Sequence, residues 1–242
     1  MPTPDSALIL QTLKVFAYVG QCSVMLPILI AVWRRTLLSQ SLRVMLYCCL
    51  MWMTLMALGV YVGKVWHYNV FVWQLVDLLE VWFIGWAYYH VIRFRLRRHF
   101  LLIGVLYSLF ALFDSFILNG LWDAALHKLA SSNTYTVVLK NLLIIGLILL
   151  YFEQTLRDLR NTMLEYEPMF IISVALIVFF AGTVVMFLIR FDIKDSTEYT
   201  MTLPVDTVLN LVLHGLLARA FWLAGRQQKP MLPQATASAI RE

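Results

Sequence analysis

Seven apolar stretches, parted by short charged segments, decide what this chain can fold into. They run from Ala7 to Trp33, Arg43 to Gly63, Val70 to Phe94, Phe100 to Leu118, Tyr135 to Leu156, Pro168 to Ile189 and Thr202 to Ala224. Each is long enough, as a helix, to cross a hydrocarbon core about 30 Å thick. Backbone N–H and C=O groups find no water there, so each stretch must satisfy its own hydrogen bonds as an α-helix. The expected fold class is all-α: a polytopic membrane protein with seven transmembrane helices. Only 14% of residues are charged, where a soluble protein carries about 25%.

Seven such spans use about 160 positions, which leaves no room for a second folded domain. The expected organisation is one transmembrane domain over residues 1–226 and a short cytoplasmic tail over 227–242. The tail, with Pro230, Pro233 and small polar residues, reads as disordered. It is too short to hold a kinase or cyclase. The start, Met1-Pro-Thr-Pro-Asp5, lacks a basic n-region and an early cleavage site, so the first span is expected to serve as its own insertion signal.

Basic residues set the orientation. With odd spans ending inside, thirteen of the nineteen Lys and Arg fall in inner segments and only Lys64, Lys128, Arg190 and Lys194 outside. That bias places the amino terminus outside and the carboxyl terminus in the cytoplasm of a bacterial inner membrane. The net charge of +5 is thus a topology signal. It implies contact with anionic lipid and no nucleic-acid partner. Cys22, Cys48 and Cys49 all fall within spans, and their spacing suggests neither a disulfide framework nor a metal site.

Further local features bear on packing. The longest outer segment, Asn119 to Thr134, could form a short interfacial helix, and Arg93-Phe-Arg-Leu-Arg-Arg-His99 reads as a basic inner loop. Gly59-x-x-x-Gly63 permits close helix approach. Pro27 has no counterpart in the middle of span five, so the paired broken helices of three-helix-repeat transporters are missing.

Ionisable groups in hydrocarbon are costly and are therefore the first candidates for function. Glu153, Arg219 and His90 lie near inner span ends and can reach water. Lys14, Asp77, Glu80, Asp114, Lys140, Asp206 and His214 lie deeper or in the outer halves. Span three carries Gln74, Asp77 and Glu80 at three-residue spacing, on neighbouring parts of one helix face. Span seven carries Asp206, Asn210 and His214, each four apart, as a polar stripe. Lys140 and Asn141 add a cation and an amide from span five. The expected ligand-binding set is Asp77, Glu80, Lys140, Asp206, Asn210 and His214, lining a cavity between spans three, five and seven. The alternative is a set of buried pairs that fixes helix register.

Catalysis is not expected. Only His90 and His214 lie within spans, away from most carboxylates, so a metal-dependent intramembrane hydrolase lacks its ligands. Neither Asp77 nor Asp206 sits in a proteolytic motif. A retinal protein would carry a Schiff-base lysine four residues after an aspartate in the last span, where this chain has Asn210 after Asp206. No cofactor is expected.

From span three onward the chain resembles a known group. Glu167-Pro-Met-Phe-Ile-Ile-Ser173, Phe179-Phe-Ala-Gly-Thr183 and Asp206-Thr-Val-Leu-Asn-Leu-Val-Leu-His-Gly-Leu-Leu-Ala218 are similar to seven-span membrane proteins of Bacteroidota. Some of these resemble the membrane sensor portion of histidine kinases. Ala181 stands where that group usually has Ser, Thr183 where it has Asn, Asp206 where it has His and His214 where it has a second Asn, while Asn210 is retained. The resemblance implies a membrane sensor or regulatory module that binds a small or lipidic ligand and signals to a cytoplasmic partner. The alternatives are a small transporter or channel with carboxylate-based ion or proton coupling, and a structural subunit of a membrane complex. Oligomerisation is left open.

Overall fold

A computed structural model of the chain describes residues 4–66, 69–92, 94–118, 134–157, 166–192 and 196–224. Every element among them is helical, and seven helical segments are long and apolar enough to cross a membrane. Span one is two helices, Pro4–Cys22 and Met25–Trp33. Spans two, three and four are Gln40–Trp66, Val70–Tyr89 and Phe94–Phe113. Spans five, six and seven are Thr134–Arg157, Pro168–Asp192 and Ser196–Leu223. The expected interfacial helix over 119–134 and the expected disordered tail lie outside the described residues, apart from Thr134, the first residue of span five.

Consecutive spans pack side by side, and span seven closes the ring against span one. Cross-contacts of span three with span five, and of span two with span six, fill the middle. Large apolar side chains such as Leu29, Leu102, Leu149 and Leu188 point outward, as a lipid solvent requires.

The tightest packing lies in the half of the bundle bearing the basic segments. Ala31, Cys48, Cys49, Ala87, Ile148, Ile172, Ala175 and Ala220 are fully buried there. Small residues let helices approach where no hydrophobic driving force separates protein from lipid. Arg34 fastens the adjoining ends of spans one and seven. Its Nη1 donates to the Trp222 carbonyl at 2.5 Å, and its guanidinium lies 4.4 Å from the Trp222 ring centroid. Just outside the membrane, partly buried Glu167 precedes span six, and that burial pushes its carboxyl up.

Three local departures from the sequence reading have physical causes. Span one breaks at Ser23 and Val24. Pro27 cannot donate to the Ser23 carbonyl four residues back, so Leu26 N–H takes that carbonyl instead, at 3.0 Å. Span three ends at Tyr89 rather than Phe94, because the chain reverses over Val91 and Ile92, whose N–H groups both return to the Tyr88 carbonyl. Span four then starts at Phe94, so most of the basic run forms its first helical turn instead of a loop. The Gly59 and Gly63 pair receives the start of span three, where Asn69 Nδ2 donates to the Gly59 carbonyl at 3.3 Å.

Candidate functional site

Lys140 of span five lies between the two carboxylates of span three. Its ammonium donates to Asp77 Oδ1 at 2.6 Å and to Glu80 Oε2 at 2.5 Å. Asp77 and Glu80, three apart, share a helix face, so one ammonium reaches both. The Trp52 indole from span two lies close to the Glu80 carboxylate. Phe180 of span six lies 5.8 Å below the ammonium at its ring centroid. Glu80 is 3% exposed and Lys140 7%, while the Asp77 side chain is 19% exposed, so the triad is closed around Glu80 and Lys140 and partly open at Asp77. Two carboxylates against one ammonium leave it with more acid groups than base.

A second polar contact stands on the other side of Trp52, whose ring lies 6.4 Å from that of His214. The break in span one frees the Gly20 carbonyl to accept the Ser23 hydroxyl at 2.6 Å. With that proton spent, His214 donates through Nδ1 to the Ser23 oxygen, also at 2.6 Å. Ser23, His214, Trp52, Glu80, Lys140 and Asp77 thus form a line of polar and aromatic groups across the bundle. It caps the tightly packed apolar half.

The sequence-selected residues therefore divide into two groups. Asp77, Glu80 and Lys140 come together. His214 meets Ser23 and Trp52 instead. Asn210 donates its amide to the Asp206 carbonyl of its own helix at 2.8 Å, and Asp206 is partly buried. Span seven packs chiefly on spans one and six. Asn141 is fully buried, and neither its amide nitrogen nor its oxygen has a partner. Asp114 at the end of span four accepts the backbone N–H and the hydroxyl of Thr136. It neutralises donors in the first turn of span five that the helix cannot pair. The Lys14 side chain lies outside the described residues. No group of three or more His, Cys, Asp and Glu side chains among the described residues is placed to hold a metal ion.

The open space lies elsewhere. A groove of about 890 Å³ runs between spans three, four and five, lined almost wholly by apolar groups. Trp82, Phe83, Trp86 and Tyr89 form one wall, Phe100 and Ile103 another, and Leu143, Leu147 and Leu150 the third. Gly85 and Gly146 make room: a Cβ added at either would meet nothing within 4 Å. Trp82 is held in place by donating to Ser108 Oγ at 3.0 Å, with its ring packed on Gly104. Spans three and five both run away from the triad toward the basic end. Gly85 follows Glu80 by five residues and Gly146 follows Lys140 by six, so the ion pairs set the register that brings both glycines to one depth.

The sequence reading missed this groove, along with Trp52 and Ser23. Its one visible signal was a glycine in each of two neighbouring spans at matching distance from opposite charges. No protein-family model, curated protein or solved structure matches the chain.

Proposed function

We propose that this protein is a membrane-embedded regulatory module whose ligand is lipidic and lodges in the groove between spans three, four and five. The observation that carries this reading is the groove itself: apolar, aromatic-walled, floored by two glycines and pinned at its deep end by Asp77, Lys140 and Glu80. Its volume falls within the range of roughly 300–1,000 Å³ usual for ligand sites. Its lining offers a lipid chain dispersion contacts and almost no polar group to desolvate. An occupant wedged between spans three and five bears on the two helices that the triad ties. Binding is thereby coupled to helix position, which is how a seven-helix module would act on a cytoplasmic partner. The pattern-level resemblance to sensor-type seven-span proteins of Bacteroidota agrees with this reading.

The test is native mass spectrometry of gently extracted protein. Wild type is expected to retain one lipid-sized species. Gly146→Leu, whose Cβ enters open space at the groove, is expected to lose it while keeping the folded mass and charge distribution. Equal retention by both proteins would remove the groove as the ligand site.

The excess of acid over base in the triad favours a second reading, a proton- or cation-coupled transporter. That reading requires flux through reconstituted vesicles that falls on Asp77→Asn. The lipid-regulated module requires none.

A further inference from the structure

The groove has two chemically different ends. At its deep end lie Leu79 and Leu142, each within two residues of the charge triad. At the other end lie Tyr89, His99 and Leu150. From residue 79 to 89 the groove follows span three for about 15 Å, at 1.5 Å per residue. That is close to half of a hydrocarbon core about 30 Å thick. The groove therefore serves one leaflet, the one bordering the basic segments.

The helix that supplies His99 and Phe100 to the groove begins Phe94-Arg-Leu-Arg-Arg98. Arg95 precedes His99 by four residues and Arg97 precedes Leu101 by four. Both therefore hold the same helical register as groove-lining positions, one turn nearer the membrane surface. There is no Asp or Glu between Glu80 and Asp114, so the stretch of span four that leads into the groove is purely basic in sequence.

Resting on the lipid reading above, we propose that the groove selects an anionic phospholipid from that leaflet. One acyl chain lies along Trp82, Trp86 and Gly146, and the phosphate headgroup meets the arginine-rich first turn of span four. A zwitterionic lipid can offer the same chain, but its headgroup carries no net charge for the arginines to pair with. Chain contacts thus set that a lipid binds, and the arginines set which.

The experiment places the full-length protein in nanodiscs containing equal amounts of phosphatidylglycerol and phosphatidylcholine. The lipid that remains after transfer to detergent is then released and identified. Each arginine near an anionic surface is worth about fivefold in affinity, so phosphatidylglycerol is expected to exceed phosphatidylcholine by about tenfold or more. The variant Arg95→Gln/Arg97→Gln/Arg98→Gln is expected to retain a lipid but with the ratio near one. Gly146→Leu is expected to retain neither. Equal retention of both lipids by the wild type, lost in Gly146→Leu, would overturn the headgroup selection and leave the lipid site standing. Retention that ignores Gly146→Leu would overturn both. A ratio unchanged by the triple arginine variant would move the selectivity away from span four and overturn this assignment.

Discussion

Lys140→Met is expected to remove most of the folded protein from the membrane. The substitution leaves the buried Glu80 and the partly buried Asp77 beside one another with their shared ammonium gone. Breaking a buried ion pair from one side costs about 3–5 kcal/mol, a large share of the stability of a domain this size. The measurement is the midpoint of thermal aggregation in detergent, with the amount of extractable protein as a second readout. Replacing all three members, as Asp77→Asn/Glu80→Gln/Lys140→Met, removes the charges together. It should restore the midpoint to near the wild-type value, because neutral side chains of similar volume need no counter-ion. Glu80→Gln alone should fall between them, since Lys140 keeps Asp77. If Lys140→Met matched the wild type, the triad would not be holding spans three and five in register.

Gly20→Ala is expected to produce the second largest loss. An added Cβ at Gly20 would meet Thr207 Cγ2 at 2.6 Å and the Thr207 Cα at 3.3 Å, so backbone as well as side chain stands in its way. Helices one and seven must part there, and overpacking of this kind costs about 1–3 kcal/mol. The same displacement pulls Ser23 from His214, three residues further along span one. Thr207→Ala removes the nearest atom, so the pair Gly20→Ala/Thr207→Ala should recover part of the lost midpoint. The loss and its recovery are read in the same thermal assay. An undiminished Gly20→Ala protein would mean that spans one and seven do not cross at Gly20 in the membrane.

The spans themselves were legible in the sequence because length and hydropathy act locally: a run of apolar residues must be helical in lipid whatever surrounds it. Helix ends were less legible. Tyr89 ends span three because the chain has to turn back within four residues to begin span four, and that is a constraint from the neighbouring helix. Asp77, Glu80 and Lys140 could be picked out one by one as costly charges, and their meeting follows from the need to pair them. Which neighbour span seven would face could not be read from its stripe of Asp206, Asn210 and His214. A helical stripe names a face, not a partner. Asn210 shows the difficulty, since its amide is spent on its own helix. The groove was the least legible feature of all. It depends on Gly85 and Gly146 arriving at one depth, which only the ion-paired register of spans three and five brings about.

The most direct measurement is photo-crosslinking in reconstituted membranes. A phosphatidylglycerol carrying a diazirine midway along one acyl chain is irradiated with the protein, and the modified peptides are sequenced. A lipid seated in the groove predicts adducts concentrated on Trp82, Trp86, Ile103 and Leu147 and abolished by Gly146→Leu. Adducts spread evenly over outward-facing residues such as Leu29 and Leu188, and unchanged by Gly146→Leu, would mean that lipid merely surrounds the bundle and that the groove holds no ligand.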